Sequence, residues 1–142
     1  MPRPASFLLL AATAAAALGC RPPPGGAPST RHLAEARLAA PEGGRAYNLY
    51  CASCHGERGA APDGASLVDG PALGARFATG LELLEYVEQR MPPGDRAGSL
   101  EPREYLAIAE YVLRARGLPV PRPFDRAAAA GVRLTPAGAP AR

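Results

Sequence analysis

The chain has 142 residues, a formal charge of +3, 17 prolines, 16 glycines and three cysteines. That is room for one ordinary domain, and ends rich in Pro, Gly, Ala and Arg confine the candidate core to residues 41–117. Within that core eight arginines face eleven carboxylates, so the basic balance belongs to the flanks and gives no ground for a nucleic-acid partner.

Residues 1–20 read as an export signal, with Arg3 ahead of an apolar stretch from Phe7 to Leu18 that is too short to span a bilayer. The stretch ends in Ala17-Leu18-Gly19-Cys20, which resembles a bacterial lipoprotein signal, in which the cysteine becomes the lipid-modified first residue. Ala17 stands where that pattern usually has leucine, and an ordinary secretory signal is the alternative. Lipidation is favoured because it uses a thiol otherwise left unpaired in an oxidising compartment. Residues 21–40 begin Pro-Pro-Pro-Gly-Gly and read as a flexible tether, with room for a short helix after residue 30 and with His32 as a solvated side chain.

The core reads as three helices. The first runs over about 41–52, with Pro41 at its start and Glu42 in its first turn. Glycines at 56, 59, 64, 70, 74 and 80 then break the chain into loops. The second helix covers about 81–90, with Leu81, Leu84 and Val87 on one face, and Pro92-Pro93-Gly94 ends it. The third covers about 102–115: Tyr105, Ile108, Ala109 and Val112 make a core-facing stripe, and Glu101 is a poor cap. No segment alternates with period two, so the expected class is all-α. Residues 118–142 are expected to be disordered.

Cys51-Ala52-Ser53-Cys54-His55 carries the chemistry. Two thiols spaced by two residues can each bond a vinyl group of one haem, and the histidine that follows is held beside the porphyrin to bind iron. A dithiol redox pair belongs at a strand end before a helix, whereas this motif follows a helix. Zinc would need a second Cys or His pair, and outside the motif only Cys20 and His32 remain. A core this small is marginal on its own apolar burial, and a haem would supply the missing bulk.

Met91, 36 positions after His55, is the one methionine besides Met1. It sits at a helix end beside Pro92, where a loop could present its thioether as the second axial ligand. A neutral sulfur donor raises the reduction potential, and filling both axial positions favours electron transfer over oxygen or peroxide chemistry.

The order of these features resembles the small monohaem cytochrome c family over nearly the whole core. Gly44 and Tyr47 stand where the family's first helix has a small residue and an aromatic; Gly56 follows His55; Pro71-x-Leu73 resembles the proximal loop; Met91-Pro92 resembles the distal loop. The resemblance implies a cytochrome c fold of three main helices around one covalently bound haem c. It implies attachment at Cys51 and Cys54 and axial ligation by His55 and Met91. It also implies that the Pro71 carbonyl accepts a hydrogen bond from His55, and that Tyr47 packs on the last helix near Tyr111.

The expected protein is an exported electron carrier rather than an enzyme. It would be lipid-anchored through Cys20 in the periplasm or on the outer face of the cytoplasmic membrane, and serve redox protein partners. It would act as a monomer or as a subunit of a respiratory or dehydrogenase complex. The acidic core suggests partners with a basic docking patch. Two alternatives stand: the electron-accepting haem subunit of a periplasmic dehydrogenase or terminal oxidase, and a ligand-binding or peroxidatic haem protein if Met91 does not bind iron.

Overall fold

The computed structural model describes residues 30–60, 66–68 and 72–134. Cys20 and Pro71 lie outside them. Among the described residues seven α-helices follow in chain order: α1 (Thr30–Ala39), α2 (Pro41–Tyr50), α3 (Ala52–His55), α4 (Ala72–Arg76), α5 (Gly80–Arg90), α6 (Pro102–Ala115) and α7 (Arg126–Gly131). No strand occurs among the described residues; the nearest approach is a single antiparallel bridge between Thr79 and Arg133. The all-α class holds.

The long helices start where side chains or proline meet their free amides. Pro41 opens α2 and needs no hydrogen-bond partner there. Thr79 accepts the Glu82 amide at 3.2 Å to cap α5, while the Glu82 carboxylate takes the Ala78 amide at 2.8 Å. At α6 the short side chain usual at a helix start is absent, but the third helical residue replaces it: the Glu104 carboxylate reaches back to the Glu101 amide at 3.0 Å.

α6 is the centre of the molecule. Tyr105, Ile108, Ala109 and Val112 are buried on it, as the periodicity predicts, and so are Tyr111, Leu113 and Ala115. α1, α2 and α5 all pack against it. Where α2 meets α6, Tyr47 and Tyr111 rings stack at 5.4 Å and 45°. The closest approach in that crossing is at Gly43, not Gly44. A Cβ on Gly43 would run into the Ala107 carbonyl oxygen and lie 2.9 Å from Tyr111 Cβ, whereas one on Gly44 would meet the Tyr111 ring at 3.4 Å. Gly43→Ala is therefore expected to destabilise the folded haem protein by about 1–3 kcal/mol, the usual cost of overpacking. Denaturant unfolding checks it, and an unchanged midpoint would show that the crossing yields.

Two sequence-based expectations need correction. Residues 30–39 are not tether: they form α1, which buries Leu33 and Ala36 against the core. His32 lies over Gly117, which leaves room for the ring by lacking a Cβ. Residues 118–134 are not disordered: Val120, Ala129, Val132 and Leu134 are buried and Phe124 packs on the core. Both segments are weakly patterned and stay folded because α5 and α6 offer them apolar surface. Including them also cancels the acidic excess of 41–117. Residues 30–134 hold all thirteen carboxylates and thirteen of the sixteen arginines, so the body is neutral by formal charge. The inference of a basic docking patch loses its support.

Candidate functional site

The haem motif straddles the end of α2. Cys51 caps α2, its amide bonded to the Tyr47 carbonyl at 2.8 Å, and Cys54 and His55 lie in the single turn of α3. The turn closes at Gly56, whose φ of 75° is the left-handed conformation that glycine adopts freely. Tyr47, buried between α2 and α6, donates its hydroxyl to the Gly56 carbonyl at 2.9 Å. The core thereby grips the residue after His55. Burial pushes the Tyr47 hydroxyl pKa well up, so it stays a donor.

Beyond the motif, Gly59 gathers the chain again. Its carbonyl accepts the Leu67 amide at 2.9 Å and the Ser66 hydroxyl at 3.2 Å. Arg116, from just past α6, donates to the Leu67 carbonyl at 3.1 Å. Leu73, in α4, is buried on the same side.

Met91 lies at the other end of the site. It caps α5, its amide bonded to Val87 at 3.0 Å, and its carbonyl accepts the Tyr105 hydroxyl at 2.7 Å. Tyr105 in turn accepts the Leu100 amide at 3.3 Å. One α6 side chain thus ties both ends of the 91–100 loop. The periodicity marked Tyr105 as core; the signal it left unused is that a buried tyrosine hydroxyl needs a partner. Tyr105→Phe is expected to cost about 1 kcal/mol, the worth of a typical hydrogen bond. A denaturation midpoint equal to wild type would show that the loop is held by packing alone.

Cys51, Cys54, His55 and Met91 line one cavity of about 420 Å³, within the range of about 300–1,000 Å³ of ligand pockets. Leu73, Phe77, Leu83, Ile108 and Val112 give it an apolar wall. Neither cysteine is paired in a disulfide, so both are open to thioether formation. Two arginines, Arg76 and Arg96, also line the cavity and are exposed at its rim. The Arg76 guanidinium lies 4.2 Å from the centroid of the Tyr86 ring and 5.5 Å from that of Phe77. An apolar slot with two thiols, two candidate axial donors and cations at the mouth fits haem, a planar macrocycle with two vinyl groups and two carboxylates. Sequence reasoning missed Arg76 and Arg96, because nothing in their spacing distinguishes them from the other arginines.

The rival readings of the motif find no support at the site. Burial, helped by Cys54, raises the Cys51 thiol to about 11, opposite to the lowered pKa of a reactive dithiol. Among the described residues no three of His, Cys, Asp and Glu gather as a metal site would require.

A family model described as "Cytochrome C oxidase, cbb3-type, subunit III" matches residues 38–112, more than half of the chain. The match runs from the end of α1 into α6 and contains the whole motif and Met91. No curated protein and no solved structure matches the chain. With its helices packed around one apolar cavity that the Cys51–His55 motif opens onto, the chain belongs to the cbb3-type cytochrome c oxidase subunit III family and is a monohaem c-type cytochrome with covalently bound haem c.

Proposed function

We infer that the protein shuttles single electrons with His55 and Met91 as the axial ligands of its haem. The observation that carries this reading is the shared cavity: the two candidate donors, from α3 and from the end of α5, line the same slot as both attachment cysteines. The bound haem supplies a one-electron couple between ferrous and ferric iron. The chain holds the group by two thioethers, excludes water with the apolar wall, and offers Arg76 and Arg96 to its carboxylates. Filling both axial positions with protein leaves no site for oxygen or peroxide. Voltammetry of the purified haem protein tests the reading: a single reversible one-electron wave is expected. Catalytic peroxide reduction would favour the peroxidatic alternative instead.

The same reading places the protein outside the cytoplasm, in the periplasm or on the outer face of the cytoplasmic membrane, anchored through a lipidated Cys20. The described body starts at Thr30, so at most residues 21–29 separate it from the anchor. Fully extended, they reach about 30 Å at about 3.3–3.6 Å per residue. The body would ride close to the bilayer rather than swing far from it. No helix among the described residues is long and apolar enough to cross a membrane. Mass spectrometry of the mature chain checks the anchor; a chain with an unmodified Cys20, or one cleaved elsewhere, overturns it. The polypeptide of the body is neutral, so long-range steering toward partners falls to the two haem carboxylates and the arginines beside them.

A second reading is supported by the family description itself: the protein serves as a haem subunit of an oxidase rather than as a free carrier. Co-purification with a larger catalytic subunit distinguishes the two.

A further inference from the structure

The family match ends at residue 112, yet the fold continues to residue 134. The extra segment leaves α6 at Gly117, returns over the molecule and ends against α5. It holds α5 at both ends. At the start of α5, the Gly80 amide bonds the Val132 carbonyl at 2.8 Å and the Leu134 amide bonds the Ala78 carbonyl at 3.0 Å. Gly80 permits this approach: a Cβ there would lie 2.9 Å from the Ala129 carbonyl oxygen. Near the end of α5, Arg126 of α7 grips Glu88 with contacts of 2.7 and 2.9 Å and touches Glu85 at 3.5 Å. Glu88 stands three residues before Met91. Between these points, Phe124 packs on the cluster of Leu84, Tyr105 and Ala109.

The other side of α5 faces the haem cavity through Leu83, Tyr86 and Val87. The helix is therefore clamped between the cavity and the C-terminal segment. We propose that residues 118–134 are a brace that positions α5 and, through it, Met91, with Arg126 as its positioning residue. The inference rests on Met91 binding iron. Met91 can leave the iron by rotation of its own side chain or by movement of the end of α5 or the 91–100 loop, and the brace acts on the second route. A brace on α5 lowers the population of that open form, and anything that binds the open form reads the population directly.

Carbon monoxide binding to the reduced haem protein is such a probe, read beside the sulfur-to-iron absorption band of the oxidised protein. Arg126→Glu sets a carboxylate against Glu85 and Glu88. It is expected to speed carbon monoxide binding about two- to fivefold, the range that an exposed ion pair supports. The double variant Arg126→Glu/Glu88→Arg restores the pair and is expected to return binding to the wild-type rate. Gly43→Ala destabilises the α2–α6 crossing away from α5 and serves as the control, expected to leave the rate unchanged. An unchanged rate in Arg126→Glu overturns the brace, as does an equal acceleration in Gly43→Ala or no rescue in the double variant. A wild-type protein with no sulfur-to-iron band overturns the Met91 reading itself, and the brace with it.

Discussion

Replacing Cys51 and Cys54 together with alanine is expected to abolish covalent haem attachment and, with it, most of the folded protein. Each thiol lines the cavity and each supplies one thioether, so without both no bond holds the group to the chain. The stability consequence follows from size. At about 24 cal/mol per Å³, an empty cavity of about 420 Å³ corresponds to roughly 10 kcal/mol. The cavity opens to solvent at its rim, so that figure is an upper value, but it is comparable to the whole stability of a typical domain, about 5–15 kcal/mol. Haem that separates from the chain under denaturing conditions, together with loss of the cooperative unfolding transition, is the expected result. A haem-free variant that unfolds cooperatively at the wild-type midpoint would show that the helices carry the fold unaided. Loss of Cys54 alone is expected to be milder, since Cys51 at the end of α2 still holds one side.

Met91→Ala is expected to remove the sulfur-to-iron band of the oxidised protein. It should also lower the reduction potential by on the order of 0.1–0.3 V, a fraction of the roughly 0.8 V that axial ligands span. The direction follows from the donor: a neutral thioether favours ferrous iron, so its loss favours the ferric state. The vacated position should bind carbon monoxide readily in the reduced protein. Truncating Met91 leaves its backbone bonds to Val87 and Tyr105 in place, so the loop should persist and global stability change less than the spectrum does. A variant with unaltered band and potential would mean that another donor completes the site.

Much of the site is legible in the sequence. Cys51, Cys54 and His55 are adjacent in the chain, and chemistry at such short spacing needs no tertiary information. Met91 stood out by elimination, and the core helices by their apolar stripes or by Pro41 at a helix start. The misreadings share one cause. Residues 30–39 and 118–134 have few large apolar side chains, and their small buried residues, such as Ala36 and Ala129, do not look like core in a sequence. Gly44 drew attention through its offset from the motif, whereas Gly43 makes the close approach, because the rotation of α2 against α6 selects which of two adjacent glycines meets a backbone carbonyl.

What the protein holds follows from the chain locally: short spacing dictates covalent attachment, and helical periodicity dictates an all-α shell. The tertiary structure decided how the group is enclosed. It brought His55 and Met91, 36 positions apart, to one slot, tied the distal loop through Tyr105, and set Arg76 and Arg96 at the rim. It also folded both flanks onto the core, which cancelled the core's charge and placed Arg126 over α5. These outcomes depend on contacts between residues far apart in the chain, and surfaces of alanine, glycine and arginine announce such contacts only once a partner helix is in place.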